Sequence, residues 1–409
     1  MTKETNYRKS NQEIQENSRN AEIDQNSQIR HQGTMKHKKY GHVDIPLKRI
    51  HIELTNVCDF NCIFCPKPAM TRKLGYMDTG LARDIISEIG RYGIAEKVTF
   101  HVMGEPTLHR DFFEILDHAA SENVPVGLTT NGGGLGGPVG EKLLGYPLHQ
   151  IDVSLQTPDK DSFALRRSGR LSFDHYLDSV LNFFAEYRSR HRESIIKFRF
   201  LNTVLPCKSM ENKVGPVRVM SSTKEMRSVF AHWVERVYRL MDVNGSDLDR
   251  ALRRVNRLVS YKWNVVEVLP NLFFETYILG DWGHAFYDGP VREAWAGYCF
   301  GMRDHFAVLQ NGDVTLCCID FDGKTAIGNL HNQALKDILS GEEVGSIIRG
   351  FKRFKLEHPH CKICLGGKNY FSWLTKPIQT ILFLKVLKPC FYHKPRLFDE
   401  GGLRDHLSR

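Results

Sequence analysis

The sequence lacks the features of an exported or membrane-inserted chain. It has no run of about 18 apolar residues, the length that a transmembrane helix requires. It also lacks a basic N-terminal stretch followed by an apolar segment, which a secretory signal would show. Ten cysteines among 409 residues are too few for a disulfide scaffold, and most of them lie in spacings typical of metal sites. We therefore expect a cytoplasmic protein whose cysteines bind metal.

A repeated pattern of strand, polar residues and helix begins near residue 44. The segments predicted as strands are 49–55, 97–102, 124–128, 150–153, 195–201 and 272–279, and helical patterns cover 81–92, 111–121 and 173–190. Strands that alternate with helices predict an α/β fold with a parallel sheet. Right-handed crossovers bring the carboxyl end of every strand to the same rim, so we expect the active site there.

Three cysteines follow the first predicted strand within eight residues. Cys58, Cys62 and Cys65 have the spacing C-x3-C-x2-C on the loop that leaves this strand. Three thiolates leave one position of a bound metal or cluster open for a substrate or cofactor, which is typical of a catalytic site. The alternatives are a zinc site that lacks one ligand and three unrelated thiols.

This spacing resembles the signature of the radical S-adenosylmethionine (SAM) enzymes, and Phe64, an aromatic residue directly before the third cysteine, fits it as well. The resemblance implies a [4Fe–4S] cluster on Cys58, Cys62 and Cys65, with SAM bound to the fourth iron. It also implies reductive cleavage of SAM to a 5′-deoxyadenosyl radical, which removes a hydrogen atom from the substrate. The implied fold is a partial (β/α)6 barrel, which agrees with the predicted strands.

The resemblance also places SAM-binding residues at the ends of later strands. Gly104 and Glu105 match a motif that holds the SAM amino group, although Met103 replaces a glycine that the family often has. Three arginines at 166–170 could supply a partner for a carboxylate or could simply begin a solvated helix. The predicted cofactor-binding residues are Phe64, Gly104, Glu105, Asn131, Ser154, Gln156 and Asn202.

A second set of cysteines lies after the repeated pattern ends. Cys299, Cys317, Cys361 and Cys364 have the spacing C-x12-G-x4-C followed by C-x2-C, and residues 305–317 are predicted to form a hairpin. The pattern resembles the SPASM extension of many radical SAM enzymes in its shortened "twitch" form. That resemblance implies one auxiliary [4Fe–4S] cluster held by these four thiols.

Two alternatives remain open at the second set. Cys318 directly follows Cys317 and competes with it as a ligand. Zinc competes with the cluster, because the histidines at 358 and 360 could complete a tetrahedral site with the C-x2-C pair. Zinc at that pair would leave the two earlier cysteines unexplained.

The predicted domain organisation has four parts. These are a disordered polar tail over 1–43, the barrel over 44–290 with a helical insertion over about 207–264, the auxiliary-cluster domain over 291–370, and a basic amphipathic extension over 371–409. The insertion could cover the barrel mouth, bind a partner or pack on the barrel wall. The extension could contact an anionic membrane surface or pack on the barrel, and Cys390 within it is interpreted as a buried or free thiol.

Together these patterns predict a radical SAM oxidoreductase with the auxiliary cluster as an electron relay. Since the polar tail is too short to be a leader-peptide-binding domain, we expect a small hydroxylated substrate, a sugar or cyclitol. The net charge of +9 suits a flavodoxin- or ferredoxin-type electron donor or serves only solubility, and no nucleic-acid-binding module is recognisable. The alternatives are a peptide-modifying maturase and a zinc-bound scaffold without enzymatic activity.

Overall fold

A computed structural model describes residues 38–241 and 245–387. Most of the predicted N-terminal tail, the last part of the predicted C-terminal extension and Cys390 lie outside the described residues. The strands are β1 Lys38–Tyr40, β2 Val43–Ile45, β3 Arg49–Ile52, β4 Val98–Phe100, β5 Val126–Thr130, β6 Gln150–Gln156, β7 Ile195–Asn202, β8 Asn264–Leu269, β9 Leu272–Ile278, β10 His305–Val308, β11 Asp313–Thr315 and β12 Ala326–Asn329.

The helices follow the strands in the predicted alternation. They are α1 Thr79–Tyr92, α2 Phe112–Ser121, α3 Pro138–Leu143, α4 Lys160–Phe163, α5 Phe173–Arg190, α6 Lys208–Val214, α7 Thr223–Leu240, α8 Gly245–Val255, α9 Leu335–Ser340, α10 Glu342–Lys352, α11 Pro359–Cys364 and α12 Tyr370–Leu382. Short 3-10 turns cover Lys67–Ala69, Pro106–Leu108 and Ala164–Arg166, and a π-helical turn covers Phe383–Leu387.

The described strands from β3 onward form one sheet in the order β12-β11-β10-β3-β4-β5-β6-β7-β9-β8. The neighbours from β3 to β7, and β7 with β9, are parallel. The prediction of an α/β fold with six parallel strands connected through helices is therefore confirmed. Sequence reasoning missed β8, which pairs antiparallel with β9 across a tight turn.

The predicted hairpin over 305–317 is built onto the barrel. Its first strand, β10, pairs parallel with β3, with Phe306 opposite Ile50 and Val308 opposite Ile52. Its second strand, β11, returns antiparallel to β10 and pairs with β12. The sheet therefore contains strands from both sides of the predicted domain boundary at residue 291. The hairpin of the second cysteine region lies next to β3, the strand that leads into the loop of the first cysteine set.

The barrel strands are apolar outside and polar inside. The outward residues Ile50, Ile52 and Phe100 are fully buried beneath the helices. The inward residues bond to one another, with Lys97 Nζ donating to Gln150 Oε1 at 2.9 Å and Gln150 Nε2 donating to Asp152 Oδ1 at 2.7 Å. Such buried polar groups need partners, and on the inner face of the barrel these side chains supply them to one another.

The long insertion packs on the barrel wall. Ser222 caps α7, because its Oγ accepts from Glu225 N at 3.2 Å. The apolar stripe of α7 is buried, and its Phe230 and Trp233 rings lie 5.1 Å from the ring of Phe200 on β7. Burial of these aromatic rings accounts for the stripe, so α7 serves as the crossover between β7 and the last barrel strands.

The first part of the predicted C-terminal extension lies in helix α12. Its Tyr370, Phe371 and Ile378 side chains are exposed, so this apolar stripe is not covered by other described residues. None of the described helices is long and apolar enough to cross a membrane.

One buried ion pair ties the barrel to the hairpin. Arg72 contacts both carboxylate oxygens of Glu53 at 2.7 and 2.9 Å, and both side chains are almost fully buried. The same carboxylate accepts from Met103 N at 3.1 Å and from Gln310 N at 3.0 Å. Arg72 also donates to the Phe321 carbonyl at 2.8 Å. Segments far apart in the sequence therefore meet on Glu53.

Replacing Arg72 by Met should destabilise the protein by about 3–5 kcal/mol, because Glu53 would keep a buried charge without its cation. Urea denaturation measures the change. The matched control is Arg83→Met, which removes an exposed pair with Glu114 at 3.3 Å and should cost less than about 1 kcal/mol. Equal losses in the two variants would contradict the role assigned to Glu53.

Candidate active site

A cavity of about 650 Å³ lies at the carboxyl ends of the barrel strands, within the size range of ligand pockets. Its wall comes from the loop after β3 and from the ends of β4, β5, β6, β7 and β9. Cys364 of the second cysteine set also lines it. The predicted site residues on this wall are Cys58, Cys62, Phe64, Cys65, Gly104, Asn131, Ser154 and Gln156.

The loop with the first three cysteines is held by side chains from other parts of the rim. Asn131, which follows β5, donates from Nδ2 to Asp59 Oδ1 at 2.6 Å and lies 3.6 Å from Cys58 Sγ. Lys67 Nζ donates to the Cys58 carbonyl at 3.3 Å and also lines the cavity. Asn131 therefore positions the cysteine loop as well as lining the cavity.

Arg166 is a buried cation beside this loop. Its guanidinium donates to the carbonyls of Leu155 at 3.0 Å and Asn131 at 3.2 Å and lies 4.4 Å from the centroid of the Phe60 ring. Among the hydrogen bonds of the described residues, none uses Arg166 Nε, although this atom is buried and the side chain lines the cavity. A buried donor in this position suits a bound acceptor such as a carboxylate.

Gly104 allows two loops of the rim to touch. Its φ is +72°, in the left-handed region, and a Cβ there would lie 2.3 Å from the Thr55 carbonyl oxygen. The next residue, Glu105, donates its N–H to the Val57 carbonyl at 2.8 Å. The glycine is thus needed for the cysteine loop to lie directly against the loop after β4.

Glu105 is buried and is not among the residues that line the cavity. It accepts from the hydroxyls of Thr107 at 2.8 Å and Thr130 at 2.9 Å and from Asn131 N at 2.6 Å. Burial raises the pKa of Glu105, and these hydrogen bonds oppose the rise. The described contacts therefore give the carboxylate a role in joining the ends of β4 and β5, and its contact with the cofactor stays a prediction.

Asn202, predicted as a cofactor-binding residue, is not among the residues that line the cavity. Its side chain is fully buried, donates from Nδ2 to the Ser260 carbonyl at 2.7 Å and accepts from Val204 N at 2.9 Å. These bonds hold the chain between β7 and the insertion. The preceding residue, Leu201, lines the cavity in its place.

The second cysteine set forms its own cluster. Burial raises the pKa of Cys317, and the thiols of Cys299, Cys318 and Cys364 raise it further. Burial likewise raises the pKa of Cys361, and Cys299 and Cys364 again add to the rise. Cys361 and Cys364 lie three residues apart on α11 and therefore share one face of that helix. Cys317 Cβ lies 3.7 Å from the position that a Cβ on Gly301 would take, two residues after Cys299, and Ala294 N donates to the Lys362 carbonyl at 2.9 Å, which holds the chain before Cys299 against α11.

Cys318 points elsewhere. Its Sγ lies within 4.8 Å of ring nitrogens of His51 and His305, and its side chain lines the cavity. The geometry therefore favours Cys317 over Cys318 as the fourth partner of the second set.

Several cavity residues were missed by sequence reasoning. Arg199 and Glu275 come from the inner faces of β7 and β9, with Arg199 Nε 3.6 Å from Glu275 Oε2. The hydroxyl of Tyr277 donates to Gln156, and the indole of Trp282 donates to the Phe64 carbonyl at 3.1 Å. The alternation of β7 and β9 marks the inward positions, but only the folded barrel shows that they reach one cavity.

Comparison with known protein families fits this geometry. The radical SAM superfamily model matches residues 52–192, and the SPASM iron–sulfur cluster-binding domain model matches residues 299–365. The chain belongs to the radical SAM superfamily. It is therefore an enzyme, and its cofactors are SAM and [4Fe–4S] clusters. The alternative of a zinc-bound scaffold without enzymatic activity is wrong.

Similar curated proteins include a probable GTP 3′,8-cyclase of Methanocella arvoryzae and the mycofactocin maturase MftC of Mycobacterium tuberculosis. The first is 33% identical over 134 residues, 33% of this chain and 42% of that protein, and the second is 31% identical over 134 residues, 32% of each chain. This chain thus matches less than half the length of these relatives.

Similar solved structures include BtrN in complex with AdoMet and 2-DOIA, at 16% identity and a TM-score of 0.42, covering 78% of this chain and 92% of that chain. Streptococcus suis SuiB bound to the precursor peptide SuiA has 15% identity and a TM-score of 0.46, covering 76% of this chain and 68% of that chain.

The residues of this radical SAM enzyme suit its cofactors. Cys58, Cys62 and Cys65 all line the cavity, and these three thiols would hold three irons of a [4Fe–4S] cluster and leave the fourth iron for SAM. The buried Arg166 Nε supplies a donor beside it. The four thiols of the second set suffice for a fully ligated cluster.

Replacing Cys317 by Ser should lower the iron content of the reconstituted enzyme by about four atoms per chain, because one [4Fe–4S] cluster loses a ligand. Cys318→Ser is the matched control and should leave the iron content unchanged. Iron and sulfide analysis after anaerobic reconstitution measures both. Loss of iron in the Cys318 variant alone would instead identify Cys318 as the cluster ligand.

Cluster loading should become faster as pH rises from about 7 to about 9. Burial raises the pKa of Cys58 to about 11, of Cys65 to about 12 and of Cys364 to about 11. Since only thiolates bind iron, loading must release these protons, and the thiolate fraction grows about tenfold per pH unit below the pKa. The growth of visible absorbance during anaerobic reconstitution gives the rate, and a rate independent of pH would contradict this account.

Proposed function

We propose that this enzyme oxidises a small hydroxylated metabolite, such as a sugar or cyclitol, by radical SAM chemistry with an auxiliary cluster as electron relay. The observation that carries the proposal is that both cysteine sets border one cavity. Cys58, Cys62 and Cys65 line it from one side, and Cys364 of the second set lines it from another. A substrate in the cavity would therefore lie between the site that forms a radical and a site that accepts an electron.

When bound, SAM and the clusters supply a 5′-deoxyadenosyl radical that removes one hydrogen atom and an acceptor for one electron. The chain's own residues hold and surround these groups. Asn131 and Lys67 fix the first cysteine loop, and Gly104 lets the neighbouring loop approach it. Trp282 extends over the cysteine loop through its bond to Phe64 and helps to exclude water from the cavity.

The polar side chains of the cavity support a small hydroxylated substrate. Ser154, Gln156, Arg199, Glu275 and Tyr277 place hydrogen-bonding groups on the wall of the cavity. Hydroxyl groups can both donate to carboxylates and accept from guanidinium groups, so a polyol can satisfy this mixture. A cavity of about 650 Å³ is also of the size that holds small molecules.

A peptide-modifying maturase is the second candidate. It is favoured by the similarity to a protein named as a mycofactocin maturase, at 31% identity over 134 residues. Pull-down of a small precursor peptide from cells that express the enzyme, followed by anaerobic turnover of that peptide, would favour this candidate over a polyol substrate.

The test is anaerobic turnover of the full chain with SAM, a flavodoxin- or ferredoxin-type reductant and a panel of carbinol-deuterated polyols. We expect 5′-deoxyadenosine that carries one deuterium, together with a carbonyl product. Cys299→Ala and Cys361→Ala should retain the SAM-binding cluster and SAM cleavage but lose the product by at least about tenfold, because the electron has no acceptor. Full product formation in both variants would contradict the relay.

A further inference from the structure

A third group of metal-binding side chains lies inside the barrel, apart from both cysteine sets. One ring nitrogen each of His51 and His305 and the Sγ of Cys318 lie within 4.8 Å of one another. Over residues 38–241 and 245–387, this is the one group of His, Cys, Asp and Glu side chains whose ligand atoms converge so closely. Donors around one tetrahedral zinc ion lie about 3.5 Å apart, so only small movements are needed.

Two of the three side chains stand on paired strands, and the third lies three residues after the end of a neighbouring strand. His51 lies on β3, and its direct partner on β10 is Ala307, two residues after His305. Residues two apart on a strand face the same side, so both histidines face the inside of the barrel. Cys318 follows β11, which pairs with β10. Sites built on strands hold their geometry better than sites on loops.

A hydroxyl orients His51 for metal binding. Thr99 Oγ1 lies 2.6 Å from His51 Nδ1, where it can accept the ring proton and leave Nε2 as the metal-binding nitrogen. In this structure Arg49 Nε donates to His51 Nε2 at 3.2 Å, so a metal ion would have to replace that hydrogen bond.

One side of the group faces the cavity. Cys318 lines the cavity, and so does His101, whose ring centroid lies 5.7 Å from that of His51. His51 itself is buried behind them. A metal ion held by the three donors would therefore have its fourth position toward the space proposed for the substrate.

We propose that His51, His305 and Cys318 bind a zinc ion whose fourth position binds a hydroxyl group of the substrate. Three protein ligands of the His and Cys type with a fourth position left open match the general arrangement of catalytic zinc. Zinc has no redox chemistry of its own, so it is compatible with neighbouring iron–sulfur clusters.

The role of the ion rests on the proposed function. As a Lewis acid, zinc makes a bound hydroxyl easier to deprotonate. The hydroxyl proton leaves to solvent, the carbinol hydrogen leaves as an atom to the 5′-deoxyadenosyl radical, and the remaining electron passes to the auxiliary site. The alcohol thereby becomes a carbonyl, and its two hydrogens and two electrons are accounted for without a separate catalytic base.

The test is zinc K-edge X-ray absorption on the full chain, purified anaerobically, with its clusters reconstituted before zinc is added. The method reports only zinc, so the iron clusters do not interfere. We expect one zinc per chain with one sulfur at about 2.3 Å and two nitrogens at about 2.0–2.1 Å. Cys318→Ser and His305→Gln should lower zinc affinity by more than about 100-fold, and Thr99→Val by about 10–100-fold, with iron and sulfide unchanged.

The matched control is Cys207→Ser, which alters another half-buried thiol, 3.5 Å from Ser209 Oγ and outside the group. It should retain zinc. A zinc ion with sulfur ligands alone would lie in the cysteine sets, which would overturn the proposal. The proposal would also fail if the enzyme bound no zinc, or if the Cys318 and His305 variants still bound it. These measurements do not depend on turnover. The zinc site can therefore be confirmed even if the enzyme oxidises no polyol, and it can be refuted even if the enzyme does oxidise one.

Discussion

The buried carboxylate of Glu53 is the interaction on which the arrangement of the site depends. It lies on the chain directly after β3, pairs with Arg72 beyond the first cysteines, and accepts backbone N–H groups from Met103 after β4 and Gln310 after β10. A buried charge is tolerated only when it is paired and fully hydrogen-bonded. Glu53 therefore holds together the cysteine loop, the loop after β4 and the hairpin of the second cysteine region.

The pairing of β10 with β3 has the largest functional consequence. It adds a seventh parallel strand to the barrel sheet and brings β11 and Cys317 beside the barrel instead of leaving them on a detached domain. One cavity then borders both cysteine sets. Proximity of this kind is what a radical oxidation followed by electron transfer requires, since the second electron must leave a short-lived intermediate.

The polar interior of the barrel gives the same cavity its chemical character. Outward residues such as Ile52 and Phe100 bury apolar area under the helices, whereas the inward residues His51, Thr99 and Arg199 stay polar. Loss of water around these groups strengthens their electrostatic interactions. The inner face can therefore orient a polar substrate and hold an ion, while the outer face provides the stability.

How much could be predicted from the sequence differs from residue to residue. Cys58, Cys62 and Cys65 were predictable because short spacing on one loop limits how far apart their thiols can be. Asn202 was predicted beside Asn131 because both follow a strand, and only the folded chain shows that its side chain bonds to Ser260 and Val204 away from the cavity wall. Arg72 offered no local signal, since its partner Glu53 is nineteen residues away along the chain.

The sequence by itself determined the alternation of strands and helices, the two cysteine sets and the hairpin, because each depends on periodicity or short spacing. Tertiary structure alone decided that the hairpin joins β3 and that Cys317 and Cys318 face different partners. It also decided that His51 and His305 converge on one point. These features depend on which strands pair and in what register, and contacts between residues some 250 positions apart leave no pattern in a single sequence.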